Sequence, residues 1–154
     1  MTPSVPERRT MMQIGVETSK AVDQRRVFVV DDDEITRAAL QFMLHDEIET
    51  HELSDLAGAY AKGQDWLQPD LVILGIGILV AEGIAAVGDV TARWPAARIL
   101  IATGKEDEAL ALEALRHGAH GALVKPLRLE TVRQKVDTIL GRAGGMPLIQ
   151  LGGL

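Results

Sequence analysis

The sequence of 154 residues lacks cysteine, is poor in aromatic residues and contains no long apolar run. Without cysteine there can be no disulfide, thiol nucleophile or thiolate metal site, which fits a reducing compartment. Two Trp, one Tyr and two Phe are too few for a surface that stacks nucleic-acid bases. No segment approaches the roughly 18 consecutive apolar residues that a membrane-spanning helix needs.

Positive charge is also not concentrated at any point of the chain. The net charge is -6, and the 16 lysines and arginines are scattered. Phosphate contacts need a basic face, so nucleic-acid binding is not expected. Charged residues occupy the N-terminal positions where a signal peptide would have its apolar core. We therefore expect a cytoplasmic protein that binds neither nucleic acid nor membrane.

The composition is 47% hydrophobic and 25% charged, which is typical of one globular domain with a sizeable core. Regular periodicity begins near Arg26, so residues 25–141 are predicted to form this domain. Residues 1–24 are predicted to be a flexible extension, with at most a short helix over 11–22. The glycine-rich residues 142–154 are predicted to be a tail or a truncated linker.

Short apolar runs alternate with helical periodicity along the domain. Five strands, each followed by a helix, predict an α/β fold with a parallel sheet and right-handed crossovers. The strands are predicted near 26–30, 50–53, 71–74, 99–102 and 121–124. The helices after the first are predicted over 55–66, capped by Ser54 or Asp55, and over 82–94, 106–117 and 129–140.

The first helix, directly after the strand at 26–30, is predicted from an apolar stripe. The stripe has the spacing of a helix face packed on a sheet. Its members are Ile35, Ala38, Ala39, Phe42 and Met43.

Chemically distinctive residues follow four of the strands. The C-terminal ends of parallel strands line the edge of the sheet where such folds bind ligands. Three adjacent carboxylates repel one another, and a hard cation such as magnesium would accept their oxygens. The alternative is that one of them caps the next helix while the others are solvated. The residues are Asp31, Asp32 and Asp33 after the first strand, Gly75 after the third, Thr103 after the fourth, and Lys125 and Pro126 after the fifth.

This ordered set resembles the receiver domain of two-component response regulators over roughly residues 25–141. The resemblance implies a flavodoxin-like, doubly wound sheet of five parallel strands in the order 2-1-3-4-5. It implies that Asp31 and Asp32 help to hold magnesium, with Asp33 as a further candidate. It also implies that Thr103 contacts a phosphoryl group and that Lys125 pairs with the acceptor carboxylate.

Gly75 stands where that family has the aspartate that accepts the phosphoryl group. Glycine offers no nucleophilic carboxylate, so phosphorylation at this position is excluded. One anionic ligand fewer also weakens magnesium binding, so weakly bound Mg²⁺ is the only cofactor considered. Lys125, without its usual partner, is expected to turn to Asp31 or Asp32. Ala122 stands where many receivers place a tyrosine or phenylalanine that changes rotamer with phosphorylation, so two parts of the usual switch are absent.

Two other protein classes share part of the pattern. Gly75 and Gly77 resemble a fragment of the dinucleotide fingerprint, but Val80 occupies the place of its third glycine.

A magnesium phosphatase of the haloacid-dehalogenase type would have Asp31, Asp33, Thr103 and Lys125 in the same order. That class also needs acids at a strand end after the lysine. The acids beyond Lys125 are Glu130 and Asp137, and both fall in the last predicted helix.

The fourth predicted helix carries apolar residues on more than one face. Leu110 and Leu112 lie about 200° apart on a helical wheel, so at least one of them should be exposed. The alternative is a large core with one stray surface leucine. Receivers often dimerise through the fourth helix, fifth strand and fifth helix, so Leu110 and Leu112 are candidate interface residues.

Together these features predict an atypical receiver, or pseudo-receiver, in bacterial-type signal transduction. It is expected to be no enzyme and to bind a signalling protein, or a second copy of itself through the fourth and fifth helices, without phosphorylation. A regulator that senses a metal or small ligand at the acidic edge is the alternative.

Overall fold

The computed structural model describes residues 23–142 of the chain. The predictions for the N-terminal extension up to residue 22, including its helix over 11–22, concern residues outside this range. The same holds for the prediction of a tail or linker after residue 142.

One sheet of five parallel strands forms the centre of the domain, in the order β2-β1-β3-β4-β5. This is the order that the flavodoxin-like prediction requires, and the predicted fold class is confirmed. Every residue of β3 is buried, as expected for a central strand covered on both faces. The strands are β1 (Asp23–Val30), β2 (Ile48–Leu53), β3 (Leu71–Gly75), β4 (Arg98–Thr103) and β5 (Gly121–Val124).

Helices cover both faces of the sheet and enclose two cores. Because side chains alternate along a strand, Val29 faces one core and Phe28 faces the other. The core of Val29 is closed by α1 and α6, and the core of Phe28 by α2 to α5. The helices are α1 (Glu34–Leu44), α2 (Leu56–Lys62), α3 (Ile76–Glu82), α4 (Ala85–Arg93), α5 (Glu108–Arg116) and α6 (Leu129–Leu140).

The buried face of α1 differs from the predicted one. The structure buries Thr36, Leu40 and Leu44, whereas Ile35 is 81% exposed and Phe42 is 75% exposed. The predicted stripe was therefore wrong, although Ala39 and Met43 are half-buried. The chain carries two overlapping sets with helical spacing, and the set containing the two leucines packs in the core beneath α6.

The predicted helix over 55–66 is shorter than expected. Asp55 caps α2 by accepting a hydrogen bond of 2.8 Å from the Gly58 N–H, which agrees with the prediction. The helix ends at Lys62, and a separate 3₁₀ turn, Asp65–Leu67, follows. This turn leaves Trp66 84% exposed.

The helix α3 was not predicted. It starts directly after β3, and Gly83, with φ +93°, separates it from α4. The predicted helix over 82–94 therefore begins three residues late, at Ala85. Within residues 23–142, no helix has both the length and the apolar character to cross a membrane.

Candidate functional site

The residues singled out from the sequence lie at the C-terminal edge of the sheet. The register pairs Val30 with Leu74, so the acids after β1 lie beside Gly75 at the end of β3. Thr103 ends β4 and pairs with Val124, the residue before Lys125. The sheet thus brings the three acids, Gly75, Thr103 and Lys125 to one edge, which follows from the parallel strand order.

Asp33 is the N-terminal cap of α1. Its carboxylate accepts hydrogen bonds from the Ile35 N–H at 3.1 Å and from the Thr36 hydroxyl at 2.8 Å. The first bond satisfies a backbone N–H that the first turn of a helix leaves without a partner, and the Thr36 hydroxyl adds a side-chain donor. The Thr36 hydroxyl first, and then the Ile35 N–H, hold the pKa of Asp33 below its ordinary value. One acid of the three is therefore committed to capping.

Lys125 pairs with this same acid. Its Nζ lies 3.7 Å from Asp33 Oδ2, in a half-exposed ion pair. The expectation that Lys125 would turn to Asp31 or Asp32 was wrong. The capping hydrogen bonds hold the Asp33 carboxylate in place, so Lys125 pairs with an anion that is already positioned.

Asp31 is the buried acid of the edge, with 4% of its surface exposed. Its Oδ1 accepts a hydrogen bond of 2.9 Å from the Asp33 N–H, and its backbone carbonyl accepts one of 2.8 Å from Arg37. Burial disfavours the charged carboxylate and raises the pKa of Asp31 above its ordinary value, against the opposing effect of the Asp33 N–H. Asp32, by contrast, is exposed.

Thr103 and Ala122 complete the edge on the β4–β5 side. Thr103 is fully buried, and its hydroxyl donates to the Gly104 carbonyl at 2.9 Å. Ala122 is half-buried and borders a shallow cavity of about 220 Å³ that Arg128 and Lys135 also line. Pro126 is exposed and follows Lys125 through a cis peptide bond.

The side chains at this edge do not fit a magnesium ion. Asp33 is engaged by a hydroxyl, a backbone N–H and Lys125, and Gly75 offers no oxygen from its side chain. Two carboxylates remain, and burial disfavours the charged form of one of them. Among residues 23–142, no three His, Cys, Asp or Glu side chains are grouped as metal ligands. Magnesium affinity depends on the number of charged oxygen ligands, so this set is too small.

Arg37 and Thr36 belong to the site but were not identified from the sequence. Arg37 ties α1 to the strand ends through the Asp31 carbonyl and an ion pair of 3.4 Å with Glu52. A bond to a backbone carbonyl has no signature in the sequence. Thr36 could have been recognised, because it lies three residues after a capping aspartate.

Comparison with known proteins identifies the family. The family model of the response regulator receiver domain matches residues 27–137. The chain belongs to this family. The receiver interpretation therefore replaces the phosphatase and dinucleotide-binding alternatives, and the chain is a receiver domain of two-component signalling.

Several relatives match this chain over nearly their whole length. The chemotaxis protein CheY of Thermotoga maritima is 27% identical, over 75% of this chain and 97% of its own length. Protein CcdB of Bacillus subtilis is 31% identical, over 75% of this chain and 98% of its own. The receiver domain of NtrX from Brucella abortus superposes with a TM-score of 0.67 at 26% identity, covering 75% of this chain and 98% of that domain.

A longer relative extends beyond the matched region. The transcriptional regulatory protein LnrK of Bacillus subtilis is 30% identical over 80% of this chain, but the match spans 56% of its own length. The chain therefore corresponds to about half of that regulator. Receiver domains are in general signalling rather than enzymatic domains, and they interact with signalling partners.

Proposed function

We propose that this receiver domain acts by binding a protein partner independently of phosphorylation. The observation that carries the proposal is Gly75 at the end of the central strand β3, where a carboxylate would have to stand to accept a phosphoryl group. The engagement of Lys125 by Asp33 supports it, because the cation already has an anionic partner.

Surface leucines of α5 support a role in protein binding. Leu112 is 51% exposed and Leu115 36%, whereas Leu110 packs against the core of Phe28. The sequence predicted that at least one of Leu110 and Leu112 would be exposed, and Leu112 is the exposed one. Val124 of the edge strand β5 adds a further exposed apolar side chain, at 40%. This face would bind a signalling protein or a second copy of the chain.

The first helix offers a second surface. Ile35, Ala38 and Phe42 lie on one side of α1, and all three are exposed. Large apolar side chains exposed in a group on one helix face are a common feature of interaction sites. This observation favours α1 as a second candidate for the partner site.

Incubation with acetyl phosphate and magnesium tests the chemical half of the proposal. The intact mass should stay unchanged, whereas a phosphorylatable receiver treated in parallel should gain one phosphoryl group. A stoichiometric gain on this chain, mapped to Asp31, Asp32 or Asp33, would show that a neighbouring carboxylate serves as acceptor, and the proposal would be wrong.

Single charge substitutions test the binding half. Leu112→Glu should abolish self-association in sedimentation, or binding of the cognate partner, with a change in unfolding free energy of no more than about 0.5 kcal/mol. Val80→Glu is the matched control, because Val80 is 66% exposed and belongs to α3 rather than to α1 or α5. Phe42→Glu tests α1 in the same assay. Retained binding by both Leu112→Glu and Phe42→Glu would contradict the use of these faces.

Sensing of a metal or small ligand at the acidic edge is the alternative function. The shortage of free carboxylates argues against a metal ligand. A thermal shift with magnesium would favour this alternative, because a ligand of the folded state stabilises it by RT ln(1 + [L]/Kd).

A further inference from the structure

The space beside Gly75 is filled by the carboxyl group of Asp31. A Cβ atom added to Gly75 would lie 2.3 Å from Asp31 Cγ and 2.4 to 2.5 Å from its two oxygens. The backbone of Gly75, at φ -68° and ψ 143°, is extended and open to every residue type. A larger residue would therefore have to displace the Asp31 carboxyl group, although the backbone conformation itself excludes no residue type.

A similar relation occurs two residues further along the chain. A Cβ atom on Gly77 would lie 2.4 Å from Asp32 Oδ1 and 2.8 Å from Oδ2. Two consecutive acids of the β1–α1 loop thus lie against two glycines at the β3–α3 junction. Asp31 is further held in place by the hydrogen bond from the Asp33 N–H.

Each acid of the loop has a partner within the protein. Asp31 rests on Gly75, Asp32 rests on Gly77, and Asp33 caps α1 and pairs with Lys125. A magnesium ion shared by the strand ends would need these oxygens to point at one centre. In this structure the three carboxylates have different neighbours: Gly75, Gly77, and the start of α1 together with Lys125.

We propose that the packing of Asp31 on Gly75 and of Asp32 on Gly77 joins the β1–α1 loop to the β3–α3 junction in place of a metal ion. A side chain at residue 75 then has to displace the Asp31 carboxyl group from this position. The C-terminal edge of the sheet then keeps one arrangement with or without magnesium. This inference rests on the proposed function, and it explains how the domain would bind its partner constitutively.

A double-mutant cycle tests whether a side chain at residue 75 displaces the Asp31 carboxyl group. Gly75→Ala should lower the urea midpoint of unfolding in the wild-type background, because Asp31 must leave its pocket and its bond to the Asp33 N–H. In an Asp31→Ala background the same substitution should leave the midpoint unchanged. Equal shifts in the two backgrounds would overturn the proposal.

The pair of Gly77 and Asp32, together with a control variant, extends the double-mutant cycle. Gly77→Ala should behave in the same way with Asp32→Ala, with a smaller shift because Asp32 is exposed and free to turn into water. Gly88→Ala is the control, since a Cβ there meets nothing within 4 Å. It should not lower the midpoint in any background.

A magnesium titration tests the replacement of the metal. Millimolar magnesium chloride should not raise the melting temperature of the wild-type chain above the value with an equal ionic strength of sodium chloride. A magnesium-specific rise would overturn the inference. Failure of the proposed function is a separate result, because a mass gain with acetyl phosphate would leave the outcome of the cycle unaffected.

Discussion

Two aspartates of one loop have pKa values displaced in opposite directions. Burial raises the pKa of Asp31, whereas the hydrogen bond from Thr36 lowers that of Asp33. A raised carboxyl pKa gives stability that is present at low pH and lost as pH rises through the folded-state value. A lowered carboxyl pKa gives stability that is present at neutral pH and is lost as pH falls through the pKa of the folded state.

Asp31→Asn should therefore change how stability depends on pH. The variant keeps Oδ1 as acceptor for the Asp33 N–H but carries no charge to bury. The unfolding free energy of the variant should increase relative to that of the wild type as pH rises from about 4 through the raised pKa of Asp31. Above that pKa the difference should stay constant. Urea unfolding across this range measures the difference. Parallel profiles for the two proteins would contradict the prediction.

Gly63 is a second position where space decides the residue. A Cβ atom there would lie 2.7 Å from the Trp94 ring and 2.9 Å from the Phe28 ring, and both rings are buried. The Trp94 indole N–H also donates to the Gly63 carbonyl at 2.8 Å, so the ring cannot retreat freely. Gly63→Ala should lower the unfolding free energy by about 1–3 kcal/mol, as overpacking does.

Chemical denaturation of Gly63→Ala beside Gly88→Ala checks this value. The exposed Gly88 lies within α4, so alanine there should raise stability by up to about 1 kcal/mol through helix propensity. Similar changes in the two variants would show that crowding at residue 63 is not the cause.

At the scale of helices and strands, the sequence predicted the parts that depend on burial alone. Buried parallel strands appear as continuous apolar runs, so four strands were anticipated in this way, whereas β2 was predicted from a weaker pattern and the strand order from the resemblance to receivers. The helix α3 was missed because its sequence, Ile-Gly-Ile-Leu-Val-Ala-Glu, continues the apolar run of β3 without a capping residue. The face of α1 was missed because two helical stripes overlap, and only packing against α6 selects one.

The partners of the site residues were harder to predict than the residues themselves. Strand ends place Asp31, Gly75, Thr103 and Lys125 together in any fold of this order. Which acid receives Lys125 depends on which one caps α1, and that is decided by side-chain geometry. The packing of Asp31 on Gly75 likewise depends on interatomic distances, which cannot be read from the spacing of residues in the sequence.

The break between α3 and α4 depends on Gly83. Its φ of +93° and ψ of 163° lie in a region that is open essentially to glycine alone, although no atom is within 4 Å of an added Cβ. Gly83→Ala should therefore cost about 1–3 kcal/mol through backbone strain without any clash.

Gly141 provides the comparison. It ends α6 in the left-handed helical region, at φ 71° and ψ 28°, which asparagine tolerates. Gly141→Asn should change the melting temperature much less than Gly83→Asn, since the Gly83 conformation lies outside that region. A similar loss in both would contradict this distinction between the two glycines.

At the scale of the whole molecule, the sheet separates two cores that belong to one folding unit. Ile99 lies in the core of Phe28, and Ile48 lies in the core of Val29. Their strands, β4 and β2, have two other strands between them, a separation of about 14 Å.

Ile99→Val and Ile48→Val should each cost about 0.5–1.5 kcal/mol. The double variant should show the sum within about 0.5 kcal/mol and a single unfolding transition. Denaturation followed by tryptophan fluorescence and by far-ultraviolet circular dichroism tests both points. Two transitions, or transitions that differ between the probes, would mean that the cores unfold separately.

The contact between Asp31 and Gly75 also makes substitutions at these two positions depend on each other. A change of Gly75 to aspartate places a second carboxyl group in a volume that Asp31 already fills. A change at residue 31 alone gives up the bond to the Asp33 N–H. Each single change is therefore expected to lower the free energy of unfolding, the first through crowding and the second through a lost hydrogen bond. The residue at position 75 and the position of the Asp31 carboxyl group are thus coupled, whereas the exposed faces of the helices are free of this constraint.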